Sequence, residues 1–133
     1  MFSKRTKKNH FKDKLWGVQR KIWDVEFLKD QYKLTREGFR AEYDRLKELE
    51  DAANVRIEAE KTKEDPDKTI IEQLTKLKER YDPDMGQLKK QMAQMDLLIE
   101  GPAPEGSQNR PLNETIDGLR TVQSLLKEII NKL

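Results

Sequence analysis

Apolar residues recur every three or four positions over the first half of the chain, and this spacing constrains the fold more than any other feature. The pattern starts at Phe11, ends at Ile57 and steps alternately by four and three residues. Such a 3.5-residue repeat is typical of the seam of a coiled coil. It predicts one long helix over residues 11–62 that packs against other helices. The seam positions are Phe11, Leu15, Val18, Ile22, Val25, Lys29, Tyr32, Arg36, Phe39, Tyr43, Leu46, Glu50, Ala53 and Ile57.

A second apolar stripe runs beside the seam, but only in the first part of this helix. It consists of Trp16, Trp23, Phe27 and Leu34. An apolar arc as wide as the two stripes together needs covering on two sides. Beyond residue 39 only the narrow seam remains, and one partner helix is enough to cover it.

The middle of the chain carries two Asp-Pro pairs, Asp65-Pro66 and Asp82-Pro83. Asp is a common N-cap and Pro a common first residue of a helix, so each pair indicates a helix start. We expect helices over residues 66–81 and 83–100, nearly collinear, with a kink or short break at Pro83. Thr69 with Glu72 offers an alternative cap for the first of them.

The sequence GPAPEGSQNRP is the clearest linker, and it is followed by a last amphipathic segment. Together with Leu112 it forms a linker over residues 101–112, and Asn113 can cap a helix over residues 113–133. Eight apolar positions give this last helix a broad apolar face. We expect it to cover the broad face of residues 11–34 and to shield Trp16 and Trp23 from water.

These lengths predict an all-α fold. The expected architecture is an antiparallel coiled-coil hairpin, or an elongated helical bundle, with a kinked middle helix and a short C-terminal helix. Residues 11–133 would form a single domain, because the middle run over residues 66–100 and the last helix together match the length of the first helix. Dimerisation through the same surfaces would satisfy the pattern equally well.

Positive charge is concentrated at the start of the chain. Residues 1–21 contain eight Lys or Arg and one acid, a net charge of +7, whereas the whole chain carries +2. A basic end on an acidic body suits an anionic partner, which could be nucleic acid, a membrane surface or an acidic protein. Residues 1–10 show no apolar period and are expected to be a flexible basic arm. The candidate partner-binding cations are Lys4, Arg5, Lys7, Lys8, Lys12, Lys14, Arg20 and Lys21.

The sequence offers little of the chemistry that catalysis requires. It has no Cys and one His, His10, and it lacks the Gly-rich loops that hold phosphates. We therefore expect no enzymatic activity, no cofactor, no metal site and no small-molecule substrate. Without an 18-residue apolar run or a secretory signal, we expect a soluble intracellular protein, either cytoplasmic or within a virus or large assembly, and not a secreted one.

The favoured hypothesis is a structural or adaptor subunit of a larger assembly, which packs its helices against protein partners or a second copy. Its basic N-terminus would contact an anionic component. The alternative is a small nucleic-acid-binding protein without sequence specificity, and a further one is an amphipathic helix on a membrane surface. The expected packing or interface residues are Phe11, Leu15, Trp16, Ile22, Trp23, Phe27, Leu119, Leu126 and Ile130.

Overall fold

The computed structural model describes residues 4–103, 105, 106 and 108–133, and these contain three helices and no strand. Helix α1 spans Lys4–Lys61, α2 spans Lys68–Glu100 and α3 spans Leu112–Lys132. The predicted all-α fold is confirmed. The helices form two compact units, one made of Leu34–Met95 and the other of the residues up to Lys33 together with Asp96–Leu133. That residues 11–133 form a single domain stays a prediction.

The coiled-coil seam predicted for the first helix is the buried face of α1. All fourteen seam positions are buried or half-buried, including the three charged ones. Ile22, Leu46, Ala53 and Ile57 are the most deeply buried of them. Lys29, Arg36 and Glu50 are half-buried like most of the apolar seam positions, so these long side chains do not interrupt the seam.

Helix α1 begins earlier than the sequence analysis predicted. Residues 4–10 are helical, so the described part of the predicted flexible arm 1–10 belongs to α1, and residues 1–3 lie outside the described residues. Lys and Arg are good helix formers, and this stretch contains no Gly or Pro. Adding turns to an existing helix also avoids the cost of a new nucleus.

Helix α2 is continuous through Pro83, so of the predicted kink or short break the break was wrong, and the kink stays a prediction. Pro83 and its neighbours Asp82 and Asp84 are exposed. A proline removes one backbone hydrogen bond, and on an exposed face water can solvate the carbonyl group left without its partner. The packed face keeps its spacing across the proline, with Tyr81 half-buried and Met85 buried.

In the unit made of Leu34–Met95, α1 and α2 are antiparallel. Near the turn, Glu60 accepts a hydrogen bond from the backbone N–H of Asp67, and further along, the Lys89 ammonium lies 5.4 Å from the centre of the Tyr43 ring. With increasing distance from the turn, the contacts therefore join lower-numbered residues of α1 to higher-numbered residues of α2. On α2, Leu77 is 38% exposed, whereas Lys78 beside it is half-buried.

The turn between α1 and α2 is held by two carboxylates. Asp67 accepts hydrogen bonds from the N–H groups of Thr69 at 2.9 Å and Ile70 at 3.4 Å, so Asp67 caps α2 in place of the predicted Asp65 or Thr69. Helix α2 consequently begins at residue 68 and not at Pro66. The buried Glu60 bonds the Asp67 N–H at 3.0 Å through one oxygen and the Lys63 ammonium at 2.8 Å through the other.

In the other unit, α3 lies antiparallel to the first part of α1. The amide of Gln123 donates a hydrogen bond to Gln19, and the Arg120 guanidinium bonds Glu26 at 2.9 Å. The last helix thus folds back on residues 11–34, as predicted. Asn113 does not cap it, because the helix begins at Leu112 after Pro111, and no side chain caps its first turn. Gly101 ends α2 with a positive φ of 78°, which suits a residue without a Cβ.

The first prediction tests the seam at Leu46, which is only 5% exposed. Leu46→Asp combines lost packing with a buried charge and should lower the free energy of unfolding by about 3–5 kcal/mol. Thermal unfolding followed by circular dichroism measures the loss. Leu49→Asp is the matched control, because Leu49 is 39% exposed on the same helix. Equal melting temperatures for the two variants would contradict the seam.

The second prediction concerns the pH dependence of the turn. The Lys63 ammonium, and then the Asp67 N–H, hold the pKa of the Glu60 carboxyl below its ordinary value of 4.5. A carboxyl whose folded pKa is lowered stabilises the fold above its unfolded pKa, and this stabilisation is lost as the pH falls through the folded pKa. Urea unfolding of Glu60→Gln should therefore show a deficit at pH 7 that shrinks below about pH 4.5. Glu58→Gln, at an exposed carboxylate, should show a smaller deficit.

Candidate partner-binding surface

Three aromatic side chains on α1 are exposed close together, and we call Trp16, Trp23 and Phe27 the aromatic surface. Their exposed fractions are 56%, 50% and 66%. The two indoles meet edge to face, with ring centroids 5.6 Å apart and planes at 88°. This is a favourable geometry for aromatic rings, so each tryptophan holds the other in place while both remain open to solvent.

The exposure of Trp16 and Trp23 corrects the prediction that α3 shields them. Helix α3 contacts α1 through Gln19 and Glu26, which lie between the seam and the aromatic surface. Its buried residues are Ile116, Leu126 and Ile130, spaced as a narrow stripe, whereas Val122, Leu125 and Ile129 on the same helix are exposed. The broad faces of the two helices therefore do not cover each other.

The structure divides the predicted interface residues into two groups. One group is buried or half-buried in the packing of α1 and α3: Phe11, Leu15, Ile22, Leu119, Leu126 and Ile130. The other group is the aromatic surface. Only this second group presents large apolar side chains that a partner can reach, and large exposed aromatics are typical of the residues that contribute most to binding.

The predicted basic residues are exposed but spread around the helix. Arg5, Lys7, Lys12, Lys14, Arg20 and Lys21 are exposed and Lys8 is half-buried, whereas the side chain of Lys4 lies outside the described part of the structure. Residues seven apart share a row on a helix, so one row holds Lys7, Lys14 and Lys21, and another holds Arg5 and Lys12. The helix therefore carries positive charge on several sides and offers no single basic cleft.

The sequence analysis missed the polar pairs that attach α3 to α1, Gln19 with Gln123 and Glu26 with Arg120. A signal was available for one of them. Gln123 lies seven residues from both Ile116 and Ile130, so it occupies a seam position of α3. A glutamine at such a position needs a polar partner when it is half-buried.

Two open grooves lie beside the helices, one in each unit. The groove between α1 and α3 measures about 400 Å³, carries both signs of charge and contains the buried Oδ1 of Asn113, which has no hydrogen-bond partner among the described residues. The groove in the Leu34–Met95 unit measures about 390 Å³, with Arg56, Lys76 and Arg80 around an apolar floor. Lys76 is engaged with Glu72 at 3.2 Å.

The described residues contain neither a cluster of three or more His, Asp or Glu that could hold a metal ion nor a helix long and apolar enough to cross a bilayer. His10 contacts the ring of Phe11 edge to face at 5.6 Å. No family model, no curated protein and no solved structure matches the chain. The aromatic surface and its basic surroundings are therefore the features from which a function can be argued.

The third prediction tests the basic residues. If they hold a phosphate-rich partner, binding of labelled single-stranded DNA should fall steeply as salt rises, because counterions are released on binding. Neutralising Lys4, Arg5, Lys7 and Lys8 to Gln should weaken binding to all DNA sequences alike, as measured by fluorescence anisotropy. The control is the same change at four exposed lysines elsewhere in the chain, Lys61, Lys68, Lys90 and Lys127. Salt-independent binding, or equal affinity of the two quadruple variants, would contradict the prediction.

Proposed function

We propose that this protein is a non-enzymatic adaptor or structural subunit, which joins a larger assembly by packing the aromatic surface of α1 against a protein partner. In this proposal the basic residues at the start of α1 contact an anionic component of the same assembly. The observation that carries the proposal is the exposure of Trp16, Trp23 and Phe27 on a helix whose other apolar row is already buried.

The spacing of the aromatic surface favours a helical partner. Trp16 and Trp23 are seven residues apart, and Phe27 follows four residues later. Side chains at these intervals form a ridge along one side of a helix, which is the shape that packs into the groove of another helix. Exposed aromatics at this density are costly to leave in water, so a partner that covers them gains apolar burial.

The charge distribution supports an anionic component. The first turn of α1 contains no acidic residue, and six of the predicted basic residues are exposed along the helix. The positive end of the helix dipole also favours negative charge near its first turn. Both effects attract negative charge of any kind, so they strengthen association without specifying a sequence or a small molecule.

A second candidate function is nucleic-acid binding without sequence specificity. It is favoured by the spread of cations around α1, since a phosphate backbone can be bound from several sides. Stacking of bases, which would strengthen such binding, uses the faces of aromatic rings. The edge-to-face contact between the indoles turns the edge of one ring onto the face of the other, which leaves fewer open faces for bases.

The fourth prediction tests the assembly proposal by capture from an extract of the source organism. The intact tagged chain should retain one or more proteins, identified by mass spectrometry, and Trp16→Ser with Trp23→Ser should abolish their retention. Val55→Ser is the matched control, because Val55 is a 69% exposed apolar residue on the same helix. Its capture should equal that of the unchanged chain.

The identified proteins are then purified and their affinity for each variant is measured. We expect the double variant to bind at least about tenfold more weakly, as is usual when central aromatic residues of an interface are removed. Equal retention of these proteins by the unchanged chain, the double variant and Val55→Ser would contradict the assembly proposal. Salt-sensitive binding of labelled nucleic acid in the same chains would then favour the nucleic-acid function.

A further inference from the structure

We infer that a second surface, formed by α1 and α3 together, binds the surface of a lipid bilayer that contains anionic headgroups. We call it the lysine–aliphatic face, and it consists of Lys14, Lys21, Val122, Leu125 and Ile129. The inference rests on the part of the proposed function that gives the basic residues of α1 an anionic partner, and it names that partner. It is carried by the position of exposed aliphatic side chains beside a row of lysines, and by the composition of the face.

The lysines of this face lie on the flank of α1 that is opposite to its polar contacts with α3. Gln19 and Glu26, which bond α3, each follow a seam residue of α1 by one position. Lys14 and Lys21 each precede a seam residue by one position. One residue turns the helix by about 100°, so the two pairs lie on opposite flanks of the seam.

The aliphatic residues lie on the matching flank of α3. Arg120 is on one flank of the buried stripe of α3, and Val122 and Ile129 are on the other. Arg120 bonds Glu26 of α1, so these two flanks of the antiparallel helices adjoin, and the two remaining flanks adjoin as well. The lysine row of α1 therefore runs beside the aliphatic side chains of α3, within about one turn of them along the helix axis.

This side of the two helices is open to solvent and carries almost no negative charge. All five side chains of the lysine–aliphatic face are exposed, and Leu125 lies in the row just outside Val122 and Ile129. The lysine row continues to the exposed Lys7. Within residues 7–28 and 115–132, Asp24 is the only acidic residue in the rows that form this side. The face therefore combines positive charge with exposed apolar side chains.

A bilayer surface matches both properties at once. Its anionic headgroups attract the lysine ammonium groups, and the boundary between headgroups and acyl chains accepts the aliphatic side chains. The long stems of Lys14 and Lys21 let their charges reach the headgroups while the aliphatic side chains lie deeper. Two helices side by side also present a broad face, which suits a flat partner better than one helical ridge would.

The composition of the face disfavours other partners. Protein interfaces are enriched in aromatic residues and Arg and depleted in Lys, whereas the cations of this face are lysines and its apolar residues are aliphatic. The aromatic surface lies beyond the other flank of α1, next to Gln19 and Glu26. Nucleic acid could bind the lysines, but it stacks on aromatic rings and gains little from aliphatic side chains. A second copy would bring lysines against lysines.

The test is co-sedimentation of the full chain with vesicles of phosphatidylcholine in which about a third of the lipid is phosphatidylserine. The unchanged chain should bind these vesicles at least about tenfold more tightly than vesicles of phosphatidylcholine alone. Lys14→Gln with Lys21→Gln should weaken the binding about tenfold. The matched control is Lys12→Gln with Lys127→Gln, which removes two exposed lysines from the other flank of the same helices and should have a smaller effect.

The aliphatic contribution is tested separately. Val122→Ser with Leu125→Ser should weaken vesicle binding about tenfold, because less apolar surface enters the bilayer. Val55→Ser with Leu49→Ser is the matched control, since it also replaces one exposed Val and one exposed Leu. Circular dichroism confirms that each variant is helical. The lysine variants change exposed positions only, so they carry the test even where a serine variant loses helicity.

A single-cysteine label reports directly which side of the molecule meets the lipid. The chain has no cysteine, so Leu125→Cys can be labelled at that position alone with a fluorophore that responds to polarity. Its emission should shift to shorter wavelength on the anionic vesicles, and the same label at Val55→Cys should not shift. A shift at residue 55 without one at residue 125 would overturn the inference.

Two other outcomes would overturn it as well. One is a chain that does not bind the anionic vesicles, and the other is an equal loss of binding in each variant pair and its control. If vesicles are not bound while Lys14→Gln with Lys21→Gln weakens binding of labelled single-stranded DNA, the lysines belong to a nucleic-acid surface and not to a lipid one.

The extract capture separates this inference from the proposed function. A chain that captures proteins through Trp16 and Trp23 but does not bind vesicles overturns the lipid surface and leaves the adaptor function standing. A chain that binds vesicles through the lysine–aliphatic face but captures no protein supports the lipid surface and removes the adaptor function.

Discussion

Burial of one narrow row of side chains along α1 is the interaction on which the rest of the structure depends. The chain has no cysteine to cross-link it, and charged residues make up 39% of its length. Few apolar residues are therefore available, and a 3.5-residue repeat is the arrangement by which a few of them cover one another continuously. The helix α1 can stay long because its seam positions, all buried or half-buried, follow one another every three or four residues.

Polar groups determine where the helices meet, because an apolar row alone does not specify its register. In the Leu34–Met95 unit, Glu60 bonds the chain where it enters α2, and Asp67 caps that helix. In the other unit, Gln19 bonds Gln123 across the contact between α1 and α3. A buried or half-buried polar group without its partner is costly, so these pairs penalise alternative alignments more than they add to stability.

The sequence predicts the buried row well because burial repeats over many turns, and a single unusual residue such as Arg36 does not change the period. It predicts helix ends less well, because the choice among Asp65, Asp67 and Thr69 depends on which backbone N–H groups the turn exposes. Pro83 shows the same limit, since a proline breaks or spares a helix according to the face it occupies. The spacing of apolar residues does not predict that Trp16 and Trp23 are exposed. Two apolar rows of α1 were available to α3, and in the structure the row with Trp16 and Trp23 stays exposed beside the polar contacts of α3 with Gln19 and Glu26.

The bond between Gln19 and Gln123 also has an evolutionary consequence. Each glutamine is tolerable at its half-buried position only while the other is present. Replacing one of them with an apolar residue leaves the amide of the other without its hydrogen-bond partner. Replacing both with apolar residues costs little, but of the two polar pairs that align α3 it leaves the more exposed one, Arg120 with Glu26. We therefore expect descendants of this chain to change residues 19 and 123 together, and to keep the pair polar wherever the position of α3 along α1 matters.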